Sequence, residues 1–66
     1  MSFSTYSDQT LLAVHKNLEG SVQVSVATFA NGGPKAGYAV DTYHISLAML
    51  AGVEDELFER GIDPHA

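Results

Sequence analysis

"SVQVSVATFANGGPKAGYAV", residues Ser21 to Val40, is the stretch whose reading decides the fold. Val22, Val24 and Val26 alternate with Gln23, Ser25 and Ala27, the period-two pattern of a half-buried strand. Asn31, Gly32, Gly33 and Pro34 supply turn chemistry. A two-residue Asn-Gly loop would send Tyr38 and Val40 to the face opposite the valines. A three-residue loop, Asn31-Gly32-Gly33, instead sets Val26 opposite Tyr38 and Val24 opposite Val40. Pro34 then opens the second strand, where a missing donor costs least. The expectation is a β-hairpin. The same run, "NGGPKAG", resembles a phosphate cradle in composition, but such loops feed a helix and this one is expected to feed a strand, so no cofactor follows from it.

Helices are expected on both sides. Ser7 is a plausible N-cap, and Leu11, Val14 and Leu18 recur at helical spacing up to a stop at Gly20. His15 lies on the edge of that apolar arc, where a packing role fits better than catalysis because no acid or nucleophile accompanies it. Asp41 or Thr42 is expected to cap a second helix that ends at Gly61, with Pro64 beyond. On its wheel Tyr43, Leu47, Leu50, Val53, Leu57 and Phe58 form one broad core stripe, with the carboxylate of Glu54 anomalously near its middle. Ile45 and Met49 fall outside the stripe. With Ala48, Gly52 and Glu56 they form a second strip, and this strip together with Phe29 of the hairpin is the candidate interface. The expected fold class is therefore α+β: helix, β-hairpin, helix, in one domain over residues 7–61, with an arm at 1–6 and a tail at 62–66.

Composition narrows the function classes. A chain of 66 residues buries only about 60% of the surface its unfolded form exposes, and chains this small are usually reinforced by disulfides, a metal or association. There is no Cys, and His15, His44 and His65 stand far apart without paired ligand spacing, so neither a disulfide nor a metal set is expected. Association is left. A net charge of −5, with only Lys16, Lys35 and Arg60 positive, argues against direct nucleic-acid binding. No apolar run is long enough to span a bilayer, and the first ten residues carry neither a basic cluster nor an apolar signal core, so a cytoplasmic location without membrane contact is expected. No catalytic motif is present.

The order helix, hairpin, "DTYHISLAMLAGVEDELFER" resembles, over residues 8–60, the phage head–tail joining proteins of the lambda W type. That resemblance implies two helices packed on a hairpin and assembly as a virion ring beneath a portal. This chain differs in being acidic and in lacking a basic tail. The expected function is that of a non-enzymatic assembly protein acting through contacts with its own copies and a protein partner. The alternative is a small acidic inhibitor or regulator that docks on one larger protein.

Overall fold

The computed structural model describes residues 3–65; Met1, Ser2 and Ala66, the extremes of the expected arm and tail, lie outside the described residues. Two α-helices of equal length, α1 (Asp8–Asn31) and α2 (Ala36–Glu59), run antiparallel as a helical hairpin. Among the described residues there is no strand, so the expected α+β fold with a β-hairpin is overturned. The alternating valines lie inside α1, Gly20 does not stop that helix, and Asp41 and Thr42 lie in the interior of α2 rather than at its start.

The physical reason lies in a second period carried by the same residues. Leu11, Leu18 and Ser25 recur every seven positions, as do His15, Val22 and Phe29; on α2 so do Ala39, Ser46 and Val53, and Tyr43, Leu50 and Leu57. Those are the two seam positions of a left-handed helix pair, and they persist through three heptads. The valines' preference for strands is a weak prior that packing against a partner helix overrides. Gly20 is exposed inside the helix and costs about 1 kcal/mol relative to Ala, too little to break it. Serine and threonine in the helix interior are satisfied locally: Ser25 Oγ donates to the Ser21 carbonyl at 2.8 Å and Thr28 Oγ1 to the Val24 carbonyl at 2.9 Å.

The ends of the helices follow their expected chemistry more closely. Ser7 caps α1, its hydroxyl oxygen accepting from the Thr10 amide at 3.1 Å. The glycines of the supposed hairpin loop close α1 instead, Gly32 at φ 70° and Gly33 at φ 87°. Replacing Gly33 with Val should lower stability by at least about 1 kcal/mol, because a β-branched residue is strained at positive φ. A urea midpoint equal to the parent's would refute that turn geometry. Gly61, at φ 73°, ends α2 as expected: its amide bonds the Phe58 carbonyl and the Ile62 amide bonds the Leu57 carbonyl. This paired closure sets Ile62 against the core beside Leu57.

The large side chains of the core cluster at the open end of the hairpin, away from the turn. Leu11, Val53 and Leu57 are fully buried, Phe3 nearly so, and Val14, Leu18 and Ile62 pack around them. Leu47 and Phe58, expected on the core stripe, face outward, and Phe58 is 85% exposed. The true seam of α2 is rotated toward the small residues Ala39 and Ser46, which are both buried. The arm is docked: Phe3 lies over Gly52, so close that a Cβ there would stand 3.0 Å from the ring. Arg60 ties the arm down, bonding Asp8 (2.8 Å), Glu56 (2.9 Å) and the carbonyl oxygens of Phe3 and Ser4. Its bonds to Asp8 and then Glu56 hold the guanidinium pKa above its ordinary value.

Candidate functional site

Two regions stand out, one at each end of the hairpin. The turn half has seam residues that are small: Ser25, Ala39 and Ser46 are buried between the helices. Its large apolar side chains stay exposed, even Phe29, which stands at a seam register. Tyr38 is 76% exposed, Val24 66%, Ile45 61% and Phe29 58%. One shallow groove on this half is lined by Val26, Phe29, Ala39, Val40, Tyr43 and His44. Charge is nearly absent here, because Lys35 and Asp41 are the only charged residues between Gly20 and Val53 and they cancel. The whole net charge of −5 therefore sits at the open end.

The interface residues expected from the sequence divide three ways. Ile45, Ala48 and Phe29 are exposed. Met49 and Gly52, both partly buried, line a shallow hollow with Phe3 and Ala48, so the chain's own arm reaches over that part of the strip. Glu56 is held by Arg60. The run "NGGPKAG" leads into a helix and not a strand, as an anion cradle would. Its donors are nevertheless depleted, since Pro34 has no amide hydrogen and the Ala36 amide already bonds the Gly33 carbonyl.

At the open end, the expectation that the histidines stand apart fails for two of the three. His15 is 2% exposed, with Nε2 3.1 Å from Glu54 Oε2 and Nδ1 3.3 Å from Glu19 Oε1. Glu54 thus answers its anomalous position by meeting His15. The tail turns back after Gly61 and places His65 Nε2 2.9 Å from Glu19 Oε2, with its ring edge-on to His15 at 5.2 Å between centroids. Asp63 Oδ1 accepts the His65 amide hydrogen at 2.9 Å and fixes that turn. The hydrogen bond between them holds Glu19 below and His65 above its ordinary pKa. His44 remains apart, in the groove near the turn. Sequence spacing could not bring residues 15 and 65 together. The only signal was Gly61, which sends the chain back along α2.

No helix among the described residues is long and apolar enough to cross a membrane. No protein-family model matches the chain, and neither a curated protein nor a solved structure matches it.

Proposed function

We propose that the chain is an assembly protein that works by pairing with a second copy of itself through the uncharged turn half of the hairpin. The observation that carries this is the separation of core from apolar surface. Every fully buried large side chain lies at the open end, while Val26, Phe29, Tyr38 and Ile45 are exposed around a seam of serine and alanine.

Shape supports the same reading. The molecule measures 41 × 24 × 14 Å, with a radius of gyration of 13.3 Å, against about 11 Å for a compact domain of this length. A slab 14 Å thick is one helix deep, so beyond the arm and tail at the open end no second layer covers the helices, whereas domains ordinarily close a core between two layers. A second hairpin laid on the groove would supply the missing layer. Charge favours a copy placed turn over turn with the open ends pointing apart, because that arrangement overlaps the neutral halves and separates the two acidic ones. This reading rests on exposed side chains and charge, and not on the resemblance to head–tail joining proteins, whose β-hairpin is replaced by helix.

The test is solution mass with a paired substitution, Val26→Glu with Phe29→Glu. Light scattering of the parent protein should give a two-chain mass that falls to one chain in the variant, with helical circular dichroism retained. Each apolar side chain buried at such a contact contributes roughly 1.5–3 kcal/mol, so the two together should weaken association by at least about a hundredfold. A one-chain mass for the parent protein would overturn the proposal and favour the acidic module docking on a larger partner. A variant that still pairs would move the contact off this groove.

A further inference from the structure

We propose that His15, Glu19 and His65 form a binding site for a divalent cation of the zinc class, which fastens the C-terminal tail to α1. One ligand atom from each residue lies within 4.8 Å of the other two. Ligand atoms around a tetrahedral zinc at bonds of about 2.0–2.1 Å stand roughly 3.3 Å apart. The Glu19 carboxylate meets each ring at a distance of that order through a different oxygen, Oε1 at 3.3 Å from His15 Nδ1 and Oε2 at 2.9 Å from His65 Nε2, so a modest turn of the carboxylate brings one oxygen to both. Two imidazole nitrogens and one carboxylate oxygen are a donor set suited to zinc, cobalt or nickel and poorly suited to calcium or magnesium, which take oxygen ligands.

The surroundings of His15 strengthen the assignment. The ring is buried at a seam position of α1, so its orientation is set by packing, and Glu19 follows four residues later on the same side of the helix. The far nitrogen, Nε2, meets Glu54 at 3.1 Å. A carboxylate on the far nitrogen is the arrangement that fixes a metal-binding histidine's tautomer, placing the proton on Nε2 and directing the Nδ1 lone pair at the ion. With a cation on Nδ1 the ring keeps its Nε2–H for Glu54, and the charges of Glu19 and Glu54 together balance a dication. The third ligand arrives on a placed segment: Ile62 is packed on the core, and the Asp63 side chain holds the His65 amide. A hollow lined by Glu54, Phe58, Ile62 and His65 lies beside the tail, and a fourth ligand would be water.

The experiment is titration of the metal-free full chain with Zn²⁺ alone near neutral pH by calorimetry, alongside thermal melts and the visible spectrum with Co²⁺. One ion per chain is expected, with a rise in melting temperature that a chelator reverses and cobalt absorption bands of a four- or five-coordinate site. His65→Ala and Glu19→Gln, at exposed and half-buried positions, should keep the helical dichroism and each weaken zinc binding by at least about tenfold. Glu54→Gln should weaken it by about ten- to a hundredfold. His44→Ala should change nothing. The proposal is overturned if the parent chain shows no heat and no melting shift at about 0.1 mM zinc, or if binding survives both His65→Ala and Glu19→Gln. Loss of binding in His44→Ala would likewise overturn it, by placing the ion elsewhere.

Discussion

Replacing Leu57 with Ala lowers the melting temperature by roughly 10 to 30 °C, the largest single effect expected in this chain. Leu57 has no exposed surface and packs with Leu11, Val53 and Phe3 in the one place where the two helices bury large side chains together. A buried Leu→Ala change costs about 2–5 kcal/mol, more where neighbours cannot collapse into the space. Collapse is hindered here, since Leu57 also supplies the carbonyl that receives the Ile62 amide and so anchors the tail. In a domain of this size each kcal/mol moves the midpoint by about 4–8 °C. The matching change at the exposed Phe58 should shift the melt by only a few degrees. If Phe58→Ala proved as damaging as Leu57→Ala, the rotation of α2 described above would be wrong.

Phe3→Ala comes second, with an expected loss of about 3 kcal/mol, the lower end of the range for buried phenylalanine because a terminal arm can detach without leaving a closed cavity. Its ring fills the space above Gly52. That predicts a coupling which a double-mutant cycle will read. With Phe3 in place, Gly52→Ala gains helix propensity but sets a methyl 3.0 Å from the ring, and the two effects oppose each other. In the Phe3→Ala background the clash is gone, and Gly52→Ala should stabilise by the propensity difference alone, about 1 kcal/mol. Strict additivity of the two substitutions in chemical melts would mean that the arm is not seated there.

The two ends of the chain were far more legible in the sequence than its middle. Ser7 and Gly61 were read correctly because caps are local: a hydroxyl facing an amide three residues on, or a glycine at positive φ, needs no knowledge of the rest of the fold. Residues 21–40 were misread because Val22, Val24 and Val26 satisfy a period of two while Leu18, Val22, Ser25 and Phe29 satisfy a period of three and a half. The deciding seam positions, Ser25, Ala39 and Ser46, carry almost no hydropathy signal. Their smallness is the real clue, because it lets the backbone of the other helix approach. Leu47 and Phe58 were assigned to the core for the complementary reason: a wheel drawn through the largest residues is pulled toward any apolar face, including one left exposed. The meeting of His15 with His65 was beyond the reach of spacing altogether, since it depends on a chain reversal and on the docking of Ile62.

The placement of the core at the open end also sets when this protein can fold. Leu11 and Leu57 must meet across the whole length of both helices, so the stabilising contacts close a loop of nearly the entire chain, and the turn brings together only small residues that offset little of the ordering cost. On the ribosome, α1 and the turn emerge with nothing to hold them, and the hairpin becomes stable only after Leu57, Arg60 and Ile62 have cleared the exit tunnel. A nascent chain stalled with residue 57 still inside the tunnel should therefore remain open to proteases along the whole of its emerged length.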